Sequence, residues 1–207
     1  IVRTGVSLGI SKVRLTGGEP LMRAGVYEFL KELASVDGLS DISLTTNGVM
    51  LYENIEKIET AGIKRINISL DTLNPKKFKN ITGYDLFDQV WAGIEKAQAH
   101  GFDPIKLNVV ALKGYNDDEF VELARLSMSH PFHIRFIEYM PIGNAQMKRN
   151  DYILTPDIKA RLRTLGELIP VTRKRMDGPA QRYRIQGAKG EIGFIQAMSR
   201  HFCHTCN

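Results

Sequence analysis

Two stretches of this 207-residue chain combine residue types that carry chemistry at spacings that let them act together. The first is Lys12-Val13-Arg14-Leu15-Thr16-Gly17-Gly18-Glu19-Pro20, where a short strand pattern runs into two glycines, an acid and a proline. Adjacent glycines let a backbone turn sharply and approach a ligand with no Cβ in the way. Pro20 biases Glu19 towards an extended conformation and holds the acid at the lip of the turn. The second stretch is Cys203-His204-Thr205-Cys206. Two thiolates at this spacing suit half a zinc site, a redox pair or adjacent corners of an iron–sulfur cluster, and the spacing leaves all three open.

The elements that must position these groups follow one repeating pattern. Strand patterns occur at Lys12 to Leu15, Ile42 to Thr46, Ile66 to Leu70, Ile105 to Leu112 and His133 to Met140. Between them run helical stripes: Val26, Phe29, Leu30 and Leu33; Leu51, Ile55 and Ile58; and Phe87, Val90, Trp91, Ile94 and Ala97 with Gly101 as an αL cap. Asn116 with Glu119 reads as a capping box opening a further helix. Strand, polar turn and helix in alternation predict right-handed crossovers and a parallel sheet covered by helices, an α/β fold. In such folds ligands sit at the carboxyl ends of the strands, where Thr45, Ser69, Asp71 and Met140 fall. Lys106 alternates with Ile105 and Leu107, so its ammonium lies on one face of a strand, where an anionic partner would offset its burial.

Past Pro141 the pattern changes. Thr155-Pro156 caps a short helix carrying Ile158, Leu162 and Leu165, Arg173-Lys174-Arg175 follows, and alternating Tyr183 and Ile185, then Ile192 and Phe194, predict a small antiparallel element. The expected division is 1–142 for the core and 143–207 for an appended segment packed on it.

Composition excludes several classes. Apolar residues make up 43% and charged residues 25%, as in an ordinary globular protein. No apolar run reaches the ~20 residues that span a bilayer, so a cytoplasmic location is expected. Lys and Arg outnumber Asp and Glu by 28 to 23, a mild positive field that suits an anionic small molecule and is too weak to argue for nucleic acid. Two cysteines within five residues of the end cannot build a disulfide framework.

The run RLTGGEPL resembles the GGEP motif of radical S-adenosylmethionine (SAM) enzymes, and with Arg23 close behind it is similar to the MoaA-type GTP 3′,8-cyclases of molybdenum cofactor synthesis. LTTNG, NISLD, IKLN with NVVALKGYND, RFIEYMPIGN and GFIQAMSRHFCHTCN extend the resemblance over nearly the whole chain. It implies a partial parallel (β/α) barrel of the TIM-barrel-like radical SAM type. It implies that Arg14, Thr45 and Lys106 hold GTP, that Gly18, Ser69 and Met140 hold SAM, and that Cys203 and Cys206 are two of three ligands to a C-terminal [4Fe-4S] cluster. A second [4Fe-4S] cluster would cleave SAM, and the resulting radical would take hydrogen from the GTP ribose at C3′ before closure onto guanine C8. The implied partners are an electron donor, cyclic pyranopterin monophosphate synthase and a possible second copy in a homodimer, with no nucleic acid and no membrane.

The sequence starts at Ile1 and stops one residue after Cys206, and it is expected to be a piece of a longer protein. The resemblance implies a C-x3-C-x2-C loop upstream and a third cysteine, arginines and a double glycine downstream. A piece of this kind is expected to be inactive alone and only marginally stable.

Overall fold

The computed structural model describes residues 1–141, 152–173 and 177–200; Lys174, Arg175, Cys203 and Cys206 lie outside the described residues. The chain forms two compact units, Ile1–Ser69 with Leu86–Ile105, and Leu70–Asp85 with Lys106–Asn207.

The first unit holds α1 (Val2–Ser7), β1 (Lys12–Leu15), a 3-10 turn (Pro20–Met22), α2 (Val26–Ala34), β2 (Asp41–Thr46), α3 (Leu51–Thr60), β3 (Arg65–Ser69) and, after the excursion of α4 (Pro75–Thr82) in the second unit, α5 (Phe87–Ala99). Strands β1, β2 and β3 are parallel, with Arg14 opposite Ser43 and Thr45 opposite Asn67. Their apolar residues Leu44, Ile66 and Ile68 are fully or almost fully buried, together with Leu30, Leu33, Leu51, Ile55, Ile58, Val90 and Ile94 from the helices. Of the predicted stripes, Phe29 is exposed, while Phe87 and Trp91 stack on each other at the flank of α5 with ring centres 6.3 Å apart. Gly101 takes φ +75° just past α5, as its predicted cap role requires.

The second unit holds α4, β4 (Ile105–Ala111), α6 (Phe120–Ser129), β5 (His133–Glu138), α7 (Thr155–Leu162), a 3-10 turn (Arg163–Leu165), β6 (Leu168–Pro170), β7 (Gln181–Ile185) and β8 (Glu191–Ile195). Strand β5 pairs in parallel with β4 on one side and β8 on the other; β8 pairs antiparallel with β7, and β7 with β6. Ile192 and Phe194 therefore belong to the parallel sheet as well as to the predicted antiparallel element. All five residues of β8 are buried, and burial on both faces hides a strand's partners from its alternation. Phe136 sits at the centre, 5.4 Å edge-on from Phe120 and 6.0 Å from Phe194. Among the described residues no helix is long and apolar enough to cross a membrane.

Two sequence expectations change. Asn116 and Glu119 form no capping box: α6 starts at Phe120 with no side-chain cap, and both side chains bond elsewhere. Asn116 accepts from Leu112 N and donates to the carbonyls of Asp71 and Val110, pinning two strand exits together. Nor does Thr155 cap α7; its amide donates to Glu138. Helix α4 opens on a side-chain cap, Asn74 with Pro75 behind it: Asn74 Oδ1 accepts from the amides of Lys76 and Lys77.

Three glutamates tie the loops after the strands to their neighbours. Glu19 accepts from Leu21 N at 3.0 Å, Thr46 Oγ1 at 2.8 Å and Asn47 N at 2.6 Å, so the turn after β1 is fixed to the end of β2. Glu119 accepts from Thr72 Oγ1 and Leu73 N and pairs with Lys77 at 2.9 Å. Glu138, the last residue of β5, accepts from Thr155 N, Met198 N, Ser199 N and Ser199 Oγ. Burial raises the Glu138 carboxyl's affinity for a proton, but these four donors outweigh it and hold the group below the usual glutamate range.

Glu19→Ala strands three donors and is expected to cost about 2 kcal/mol in denaturant unfolding, with faster amide exchange at Asn47; unchanged exchange there would contradict the tie. Because the Glu138 carboxyl titrates lower in the fold than in the unfolded chain, its stabilisation is complete above the usual glutamate range and fades as pH falls through the folded-state value. Acid titration of stability should therefore be shallower in Glu138→Gln than in the parent. Phe136→Ala should lower stability by about 3–5 kcal/mol, checked by the same unfolding measurement.

Candidate functional site

Register divides β1, β2 and β3 into two faces. Val13 and Leu15, Ile42, Leu44 and Thr46, and Ile66 and Ile68 share one face, which the helices cover. Lys12 and Arg14, Asp41, Ser43 and Thr45, and Arg65, Asn67 and Ser69 share the other. A strand with polar groups at every second position must line a surface that offers them partners.

This polar face is graded along the strands. Its lowest rows carry Lys12, Arg14 and Arg65 together with Asp41, which Arg65 meets at 2.6 Å and Lys12 at 3.4 Å. One row up, Asn67 Nδ2 donates to Leu44 O at 3.0 Å and reaches Thr45 Oγ1 at 3.4 Å, which orients the hydroxyl. Ser69, exposed at the end of β3, stands higher still. Between them the Ser43 hydroxyl is buried with no hydrogen-bond partner among the described residues. Such an orphan on a polar face marks a place where a ligand or water completes the bonding.

The glycine turn forms the rim of the first unit. Gly17 and Gly18 border a hollow of about 540 Å³ lined also by Leu15, Glu19, Arg23 and Phe29. A Cβ on Gly18 would meet no atom within 4 Å. Packing among the described residues thus makes no demand for glycine at this position, and the space beside it leaves the backbone open to close approach by a ligand. Behind the turn, burial and the charges of Glu19 and Glu53 push the Tyr27 phenol upward, so it stays protonated.

The second unit shows the same grading. Lys106, His133 and Glu191 occupy one low row of β4, β5 and β8, and Asn108, Arg135 and Gly193 the next. Lys106 therefore stands on the polar face near the amino end of β4, away from its carboxyl end. Met140, two residues beyond β5 and 46% exposed, stands past that strand's carboxyl end. Asp71, nominated by its place after β3, turns inward: Val110 N donates to it at 2.7 Å, and burial pushes its carboxyl upward despite that bond.

The structure thus brings Arg14, Gly18, Thr45 and Ser69 together in one unit and places Lys106 and Met140 in the other. The open glycine turn fits the SAM that a GGEP motif implies. Among the described residues no three His, Cys, Asp or Glu side chains gather to hold a metal, and the expected ligands Cys203 and Cys206 lie outside those residues. Sequence reasoning missed Ser43, Asn67 and Asn108, although the alternation in DISLTT, RINIS and IKLNVV that exposed Lys106 marks them equally.

Residues 1–127 match the family described as the Radical SAM superfamily, and residues 132–207 match that described as Molybdenum Cofactor Synthesis C. The chain is 46% identical over its whole length to a GTP 3′,8-cyclase of Thermodesulfovibrio yellowstonii and equally to one of Moorella thermoacetica. It spans 64% of the length of each of these curated relatives. Among solved structures, a radical SAM methyltransferase from Sphaerobacter thermophilus superposes with a TM-score of 0.62 at 18% identity, over 79% of this chain and 52% of that one. A domain of a pyruvate-formate lyase-activating enzyme from Bacteroides vulgatus superposes with a TM-score of 0.58 at 15% identity, over 74% and 91% respectively. The parallel α/β architecture, the polar strand faces and the open GGEP turn thus have one common account: the chain belongs to the radical SAM superfamily.

Proposed function

We propose that this chain is the central part of a GTP 3′,8-cyclase that converts GTP to (8S)-3′,8-cyclo-7,8-dihydroguanosine 5′-triphosphate, the first step of molybdenum cofactor synthesis. The observation that carries the reading is the 46% identity, across the whole chain, to relatives bearing that name. The grading of the polar faces supports it. In each unit the residues assigned to GTP, Arg14 and Thr45 in one and Lys106 in the other, lie lower than those assigned to SAM, Gly18 and Ser69 in one and Met140 in the other.

On this reading SAM, with a reduced [4Fe-4S] cluster and an external electron donor, supplies a hydrogen-abstracting radical, and the chain's own residues bind and orient. Arg14 and Lys106 offset the charge of a triphosphate, and Thr45, held by Asn67, donates a hydroxyl. Gly17 and Gly18 let the amino-acid part of SAM approach the backbone, and Ser69 and Met140 contact its remainder. Cys203 and Cys206 are proposed ligands of a second, C-terminal cluster, so that residues 1–142 present SAM and 143–207 present the cluster that meets guanine. The covered hydrophobic side of each strand keeps these groups rigid, which serves orientation and exclusion of water.

The test uses the full-length protein, purified and reconstituted without oxygen, with GTP, SAM and reductant. Formation of the cyclised nucleotide and of 5′-deoxyadenosine is expected; zinc without iron, or SAM cleavage that ignores GTP, overturns the reading. Lys106→Ala should weaken GTP binding by about tenfold or more and leave SAM binding nearly intact. Gly18→Val should do the reverse, because its side chain fills the space beside the turn. Calorimetric titration of both ligands checks the pair.

A further inference from the structure

Three adjoining residues on the polar face of the first unit each bury a polar atom that has no hydrogen-bond partner among the described residues: Asp41 Oδ1, Ser43 Oγ and Arg65 Nε. Ser43 lies two residues beyond Asp41 on β2, opposite Arg14 of β1 and Arg65 of β3, so a small hydroxyl stands between two guanidinium side chains in one row. Arg65 Nη1 meets Asp41 Oδ2 at 2.6 Å and Lys12 meets the same oxygen at 3.4 Å, so two cations offset the carboxylate's charge. Ser43 itself is 4% exposed. A buried hydroxyl that bonds to nothing costs free energy and gives the fold nothing, whereas one that donates to an anion beside two guanidiniums makes a charge-assisted bond.

The height of this row on the strands points to the kind of anion. At ~3.3 Å per residue, Ser43 and the Arg65 opposite it stand about 13 Å below Ser69, which is four residues further along β3, with Thr45 half-way between. A nucleotide whose C3′ faces the SAM end of the strands sends its phosphate chain from C5′ towards their amino ends, and the phosphate that comes lowest is the terminal one. We propose that Ser43 is a specificity-determining residue: its hydroxyl and Arg65 Nε donate to the terminal phosphate and so distinguish a triphosphate from shorter chains. Asp41 Oδ1 is an acceptor, so the ligand atom beside it must bring a hydrogen, and the terminal phosphate alone keeps an ionisation near neutral pH. For the guanosine this rests on the cyclase reading; for a polyphosphate seat it rests on the three partnerless atoms and the two arginines.

Calorimetric titration of the full-length protein, reconstituted without oxygen, with GTP, GMP, SAM and inorganic tripolyphosphate decides the matter. In Ser43→Ala, GTP and tripolyphosphate should bind about tenfold more weakly, while GMP and SAM stay within about twofold. The melting midpoint of the unliganded variant should stay within about 2 °C of the parent or rise, because the lost hydroxyl leaves no partner behind. Arg65→Lys keeps a charge for Asp41 but has no Nε, and it should repeat the split between GTP and GMP. A hydroxyl completed by water alone predicts otherwise: a lower midpoint without ligand, and GTP binding either unchanged or weakened equally with GMP. Either of those results, or a Ser43→Ala variant that does not fold, overturns the proposal. If the parent binds tripolyphosphate but makes no cyclised nucleotide, the cyclase reading falls, and the tripolyphosphate comparison still decides the seat. A parent that binds neither GTP nor tripolyphosphate overturns both.

Discussion

The irregular chain at the carboxyl ends of the strands depends on one constraint: its backbone N–H groups leave the ladders and still need acceptors. Helix and sheet satisfy their own donors, whereas a loop crossing a buried rim must borrow acceptors from side chains. In this protein the lenders are carboxylates. Glu19, Glu119 and Glu138 each accept from two or more groups that belong to a different loop. An ionised carboxylate is acceptor-only and makes the stronger kind of hydrogen bond, so one residue can close a gap that several neutral side chains would otherwise share. The loops at the strand ends are thereby held by groups that leave the polar faces of the strands free.

The second organising fact is the separation of duties between the two faces of each strand. In the first unit, Leu44, Ile66 and Ile68 supply the buried area that holds the helices, and residues one position away supply Ser43, Thr45 and Asn67. Since a side chain's face is fixed by parity, a one-residue slip would put cations into the helix layer and isoleucines onto the polar face. The apolar face is therefore what sets the register of the functional groups. The same logic operates in β4 and β5, where Leu107, Val109, Ile134 and Phe136 anchor the rows that contain Lys106 and Asn108.

Much of this could be read from residues in order, and the rest could not for identifiable reasons. The strands carrying Arg14, Thr45, Ser69 and Lys106 announce themselves by alternation, and α2, α3 and α5 by their stripes, because both signals are local. The clamps are not local. Glu19 meets Thr46 across 27 residues, Glu119 meets Leu73 across 46, and Glu138 meets Ser199 across 61. Nothing in a single sequence distinguishes such an acid from a solvated one. Asn116 and Glu119 were misleading for a related reason: their spacing satisfies a local rule, but tertiary partners compete for the same atoms and win. Strand β8 was visible as a strand, and only its second neighbour was hidden.

The placing of Lys12, Arg14 and Arg65 on one face, with Asp41 pairing only Lys12 and Arg65 among the described residues, has a thermodynamic side. Like charges packed on one face repel one another, and the empty protein carries that repulsion as a standing cost. An anion that settled among them would remove that cost, and if it bound only the folded chain, mass action would convert its concentration into stability. The native state would then be completed by such an anion, whose abundance would become one of the terms that decide how much of this protein stays folded.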